Sequence, residues 1–150
     1  MTKAPASPAL PTWSIVVVDT RTREVAVGTA TCLYGFDIQK TVPVLVPGYG
    51  AAASQAVVDT SGVLRKTMRR GLLAGIPPGR ILTALSLIWG HQQRQFGIVD
   101  FDNMPVTFTG NKASAAAGGV IGISGDLRYA IQGNILVDPI VWLEAGQALL

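Results

Sequence analysis

The sequence predicts a single α+β domain built from two β-sheets faced by helices. Four observations carry this. Four β-rich runs come first, two helical patterns follow, and further strands precede a last helix, an order that suits stacked sheets better than alternating βαβ units. At 150 residues the chain is about one domain long and can bury a substantial core. Apolar residues make up 49% and charged ones 14%, which sets the chain apart from disordered or solvating segments. The 17 glycines point to many turns and close backbone contacts rather than to long helices.

Residues 1–11 (MTKAPASPALP) hold three prolines and lack the apolar stretch of a signal peptide, so they read as a disordered leader of the kind that is readily removed. The domain proper is expected over 12–150. Residues 13–19 (WSIVVVD) form a β-rich run, 20–23 (TRTR) a turn, and 24–31 (EVAVGTAT) a second run, together an antiparallel hairpin. After a loop at 34–37, residues 41–46 (TVPVLV) predict a third strand, which Pro43 places near an edge or a bulge. Gly48-Tyr49-Gly50 then leads into 51–58, a small-residue strand or buried turn.

Ser61 stands as N-cap of a helix over 62–74, with Val63, Leu64, Met68 and Leu72 on one face and Gly75 ending it. Pro77 and Pro78 start a second helix over 79–89, with Ile81, Leu82, Leu85 and Ile88 at core spacing. Residues 95–99 and 105–109 predict another hairpin around the turn 100–104, and 113–125 a small, flexible loop region. A further strand is expected over 129–136. Asp138 caps a last helix from Pro139 that runs to Leu150 without a stop signal, so the chain is expected to be cut short.

Several function classes are disfavoured by residue supply. Cys32 is the only cysteine, which excludes an internal disulfide and a cysteine metal cage, and His91 is the only histidine, which excludes two-histidine zinc sites. No metal and no cofactor are expected. A Ser-His-Asp triad would have to use His91, in the polar stretch His91-Gln92-Gln93-Arg94. Net charge is +3, and its one cluster, Arg65, Lys66, Arg69 and Arg70, has helical spacing and no interleaved aromatics, so it reads as a solvated helix face rather than a nucleic-acid surface. No apolar run approaches the roughly 20 residues that span a bilayer.

Among candidate sites, Gly48-Tyr49-Gly50-Ala51-Ala52-Ala53 matches the loose dinucleotide pattern G-x-G-x-x-G/A, but position 70, where an acidic residue would be wanted, is arginine. A tight β-connection is the better account. Asp100 and Asp102 flank a turn and read as local backbone acceptors. Gln132-Gly133-Asn134 is less ordinary: two amides flank a glycine in an apolar strand, where they must either tie down a neighbouring loop or face a substrate. Ser54-Gln55 poses the same question. Thr12 and Ser14, two apart at a strand start, share one face.

The run PTWSIVVVD, a turn and EVAVGTATC resembles the opening of the family called domain of unknown function 1028, whose members are predicted N-terminal-nucleophile (Ntn) hydrolases. Residues 48–56 (GYGAAASQA), 94–100 (RQFGIVD), 108–110 (FTG) and 129–136 (YAIQGNIL) resemble the same family in the same order. The resemblance covers 12–150. It implies a four-layer αββα sandwich of Ntn-hydrolase type, with Thr12 as the nucleophile once the leader is removed and the Q-G-N segment at Gln132, Gly133 and Asn134. A threonine hydroxyl needs a base, and the α-amine of an N-terminal threonine, with a pKa of about 7.7–8.0, supplies one in the same residue. Asn134, or backbone amides near Ser54, would stabilise the oxyanion. Ser14, Ser54, Gln55, Gln132 and Gly133 are the expected substrate contacts, and Lys40 is a weaker candidate for lowering the amine's pKa. The expected activity is hydrolysis of a small amide or peptide substrate, and the alternative is a non-catalytic Ntn-fold binding or assembly protein. No nucleic-acid or membrane partner is expected, and a homo-oligomer is allowed. Localisation is unassigned: cytoplasmic by default, exported if the true start lies upstream.

Overall fold

The computed structural model describes residues 11–114, 116–136, 138 and 140–150. Most of the predicted leader, together with Ala115, Val137 and Pro139, lies outside the described residues. Strands β1 (Thr12–Asp19) and β2 (Val25–Thr31) form the expected antiparallel hairpin, with Thr12 opposite Thr31 and Val18 opposite Val25. A short helix α1 (Ile38–Thr41) precedes β3 (Pro43–Val46) and β4 (Gly50–Ala56), and helices α2 (Val63–Leu73) and α3 (Pro78–Ser86) follow. A 3-10 turn at His91–Gln93 leads into β5 (Arg94–Asp100), then β6 (Val106–Thr109), β7 (Gly118–Ser124), β8 (Leu127–Asn134) and α4 (Ile140–Gln147).

Two four-stranded antiparallel sheets result, ordered β2-β1-β8-β7 and β3-β4-β5-β6. They stack face to face through Val16, Val18 and Ala130 of one and Ala51, Ala53 and Val99 of the other. The outer face of the second sheet, at Ala52, Phe96 and Ile98, is covered by Leu64, Met68 and Leu72 of α2 and Ile81 and Leu85 of α3. The outer face of the first, at Tyr129 and Ile131, is covered by Trp142 of α4. The layers therefore run helix, sheet, sheet, helix. Burial alternates strictly along β1, as a strand between two packed layers requires.

Several expectations are corrected. Pro43 does sit on an edge strand, but residues 38–41 are helical, because Asp37 caps them by accepting the Lys40 N–H and Thr41 bonds back to the Asp37 carbonyl. The cap of α2 is Gly62, at φ +68°, rather than Ser61, whose hydroxyl instead accepts the Val63 N–H and donates to Asp59. Val63 is 45% exposed, and the inward face is completed by Gly71, where a β-carbon would come within 2.6 Å of Ile81. The region 113–125 contains the edge strand β7, paired with β8 along its length. Asp138 accepts the Ile140 N–H at 2.8 Å at the start of α4, and the helix ends at Gln147. Gly48 lies in the turn between antiparallel β3 and β4 and Gly50 opens β4, so a strand rather than a helix follows, which removes the dinucleotide reading.

Candidate functional site

Towards one end of the inter-sheet layer the packing changes from apolar to polar. Thr12, Ser14, Gln55, Gln95, Gln132 and Asn134 are all buried there. Thr12 opens the central strand β1, so it has a neighbour on each side: Thr31 on β2 and Asn134 on β8. Its backbone N–H donates to Asn134 Oδ1 at 2.9 Å, its Oγ1 lies 3.0 Å from Thr31 Oγ1, and its carbonyl accepts from Gln55 Nε2 at 3.0 Å. Thr12 also lines a narrow cavity of about 10 Å³, room for about one water molecule, walled by Leu33, Phe36 and Ile38 on one side and by Gln55, Ala56 and Val58 on the other.

The nitrogen of Thr12 is an amide in this chain. The Pro11 carbonyl accepts from the Cys32 N–H at 3.2 Å and from Thr31 Oγ1 at 3.1 Å, so residue 11 continues the pairing of β1 with β2. An amide nitrogen carries no basic lone pair, so Thr12 gains a base of its own only if the bond to Pro11 is broken.

Beneath Thr12 the amides form one connected network. Gln132 Nε2 donates to Ser14 Oγ at 2.5 Å, and Ser14 Oγ donates to Gln55 Oε1 at 2.5 Å. Gln55 Nε2 is shared among the Thr12 carbonyl, Gln95 Oε1 and the Gln132 carbonyl, and Gln95 Nε2 reaches the Gly133 carbonyl at 2.8 Å. Ser14, Gln55 and Gln132 are thus saturated within the protein, tying sheet to sheet under Thr12. Gly133 pairs with Trp13, and a β-carbon there would lie 2.5 Å from Leu136. Ser54 neighbours Gln55 on β4, so its side chain points to the opposite face of the sheet, where its buried hydroxyl has no partner among the described residues. Asn134 is also half-used: Oδ1 holds Thr12, while Nδ2 is buried without a partner among the described residues.

The backbone is strained beside both amides. Ala56, directly after Gln55, has φ +75°, and Ile135, directly after Asn134, has φ +51°. Left-handed conformations cost a non-glycine residue roughly 1–3 kcal/mol each, and they turn the chain sharply where the two site strands end.

Other candidates lie elsewhere. His91 Nδ1 is 3.0 Å from the Ile88 carbonyl, its ring faces Phe108, and it does not line the Thr12 pocket. Lys40 pairs with Asp37 at 2.9 Å on an exposed surface. The Lys40 ammonium lowers the Asp37 pKa, and the carboxylate in turn raises that of Lys40, so the charge of Lys40 is directed at Asp37. The Asp100 carboxylate accepts from the Asp102 and Asn103 backbone and from the Asn103 side chain, a local turn. In the basic cluster, Arg65 bonds the Lys40 and Asp59 carbonyls and Arg69 the Leu45 carbonyl, while Lys66 and Arg70 are exposed.

Thr31 and Gln95 were not singled out by the sequence, although both belong to this site. The hairpin register was the available signal for Thr31, since extending it by one residue pairs Thr12 with Thr31. A glutamine within an apolar strand was the signal for Gln95, the same signal that marks Gln132.

No curated protein matches this chain. Its fold is similar to the crystal structure of a Silicibacter pomeroyi protein described by the family model DUF1028, with a TM-score of 0.77 and 23% identity over 92% of this chain. The match spans 61% of that protein's length, and at this identity it speaks for the fold alone. The model of the family of unknown function DUF1028 matches residues 12–149, from the first residue of β1 through α4, and the protein belongs to that family.

Proposed function

We propose that this protein is an N-terminal-nucleophile hydrolase of amide or peptide bonds, with Thr12 as nucleophile after removal of residues 1–11. The observation that carries the reading is the placement of Thr12, at the head of a central strand, lining a pocket, with its nitrogen held by Asn134 Oδ1 and its carbonyl by Gln55. The helix–sheet–sheet–helix layering supports an Ntn-type sandwich. In the proposed reaction the freed α-amine takes the Thr12 hydroxyl proton while Oγ1 attacks the substrate carbonyl carbon. The tetrahedral intermediate collapses, the proton passes to the leaving amine, and an ester on Oγ1 remains. Water, deprotonated by the same amine, hydrolyses that ester and restores the hydroxyl. Asn134 fixes the amine through Oδ1, while its Nδ2 is buried with no partner among the described residues. Gln55 and Ser54 line the pocket, and Ser14 and Gln132, with Gly133 beside them on β8, brace Gln55 from beneath.

A specific observation favours the second reading, a non-catalytic binding or assembly protein on the same scaffold. The Pro11 carbonyl is well bonded, so an intact chain keeps Thr12 as an ordinary strand residue. Intact mass of protein from its native host separates the two. The hydrolase reading expects an N-terminus beginning Thr-Trp-Ser and labelling by a hydroxyl-reactive acylating probe that Thr12→Ala abolishes with circular dichroism unchanged. Full activity in a chain that still begins at Met1 or Thr2, or equal labelling of Thr12→Ala, would sink it.

A further inference from the structure

Two donors beside Thr12 already bind a carbonyl oxygen, and the proposed removal of the leader would take that oxygen away from both. They are the Thr31 hydroxyl and the backbone N–H of Cys32, at 3.1 and 3.2 Å from the Pro11 carbonyl oxygen. The carbon of that carbonyl is bonded to the Thr12 nitrogen, and Thr31 Oγ1 is also 3.0 Å from Thr12 Oγ1. The Leu33 N–H donates to Thr31 Oγ1 at 3.3 Å, which occupies a lone pair and turns the hydroxyl hydrogen towards the carbonyl. Thr31 is half-buried, its register opposite Thr12 set by the β1–β2 ladder, so the hydroxyl is held by a sheet rather than by a loop.

We propose that the Thr31 hydroxyl and the Cys32 N–H form the oxyanion-stabilising donor pair of this site, on the β2 side of Thr12 and opposite Asn134. The inference rests on the hydrolase reading above. Asn134 already uses its oxygen on the Thr12 nitrogen, and it flanks β1 from β8, away from Thr31. When Oγ1 attacks, the carbonyl double bond opens, its electron pair moves to oxygen, and that oxygen comes to lie near the hydroxyl that neighbours Oγ1. A donor pair of one hydroxyl and one backbone N–H, fixed before reaction, needs little reorganisation to meet it. While the leader is attached, Pro11 occupies the same donors, so the intact chain is held inactive both at the amine and at the oxyanion position.

The test uses full-length protein carrying a protease site directly before Thr12, folded intact and then cut, with circular dichroism recorded before and after. A β-lactone acylating probe is titrated to separate its binding constant from its maximal acylation rate. Thr31→Val keeps the shape and removes the hydroxyl; the maximal rate should fall by roughly 10²–10³-fold with the binding constant and thermal midpoint little changed. Thr31→Ser should restore most of the rate. A Thr31→Val protein that acylates within about twofold of wild type, or that loses probe binding and thermal stability instead of rate, overturns the donor assignment while leaving Thr12 as nucleophile. Cut wild-type protein that does not react at all overturns this assignment and the hydrolase reading together.

Discussion

Gly97 lies in β5 opposite Ala53, and a β-carbon there would overlap the Gln132 side-chain amide. The amide cannot simply move away, because its nitrogen is bonded to Ser14 Oγ and its oxygen lies within 3.4 Å of Thr107 Oγ1. Gly97→Ala should therefore destabilise the protein by about 1–3 kcal/mol through overpacking and lost hydrogen bonds. Urea unfolding measures this, and a change below about 0.5 kcal/mol, the range of an ordinary surface substitution, would show slack in the network. At this scale the informative signal was a polar residue interrupting an apolar strand. Gln132, Asn134 and Gln55 stood out for that reason, and the structure brings Asn134 and Gln55 to Thr12 and Gln132 to Gln55 and Ser14. What a single residue's context could not reveal is whether an amide faces outwards or inwards. Gln132 is 0% exposed and bonded to Ser14, an outcome decided by partners on other strands. Thr31 gave no such signal, since a threonine in a strand is ordinary and gains interest only through its register with Thr12.

The hairpin of β1 and β2 carries its own pH sensitivity. At its turn, the Asp19 carboxylate accepts the Thr22 N–H at 2.9 Å and the Arg21 N–H at 2.8 Å, and these bonds, the one to Thr22 foremost, hold its pKa below the usual aspartate range. A carboxyl group with a depressed pKa stabilises the fold above its unfolded pKa and loses that contribution as pH falls through the folded value. Wild-type protein should thus lose stability on acidification more steeply than Asp19→Asn, which accepts the same bonds without titrating. Urea midpoints from about pH 6 down to about pH 2.5, across the ordinary aspartate pKa, test this, and parallel curves would remove Asp19 from the account. Elements were legible where period and punctuation agreed, as in this hairpin and in α3 with its two prolines. The strand β7 was missed because Gly118, Gly119 and Gly122 depress its intrinsic preference. Those glycines answer to tertiary contacts: a β-carbon on Gly118 would sit 2.8 Å from Trp142, and one on Gly122 would overlap the Tyr129 hydroxyl. The helix α1, four residues long, is too short for a periodic signal and exists through its Asp37 cap.

Across the whole molecule, the two sheets meet in two chemically different ways. Over most of their area small apolar side chains stack, and at the Thr12 end a chain of amides replaces them. The network draws Ser14 and Gln132 from one sheet and Gln55 and Gln95 from the other, residues up to 118 positions apart, which is why no local pattern in the sequence announces it. Buried amides of this kind are stabilising only when every member is satisfied, and each also specifies how the sheets are aligned. The arrangement places the Thr12 carbonyl and the Gly133 carbonyl on adjacent donors, so the geometry around the candidate nucleophile depends on contacts made by both sheets at once. This dependence is measurable by a double-mutant cycle on Gln55 and Gln95, whose Nε2 and Oε1 are 3.0 Å apart. Gln55→Leu leaves the Ser14 hydroxyl and the Gln95 oxygen without their partner, and Gln95→Leu leaves the Gly133 carbonyl without its donor at 2.8 Å. Each single change should cost about 1–3 kcal/mol per stranded group. The double variant removes both ends of the shared bond, so its loss should be smaller than the two single losses together by about 0.5–3 kcal/mol, the range seen for directly coupled residues. Should the two losses add to within about 0.5 kcal/mol, the amides act independently, and the sheets are aligned by their apolar contacts alone.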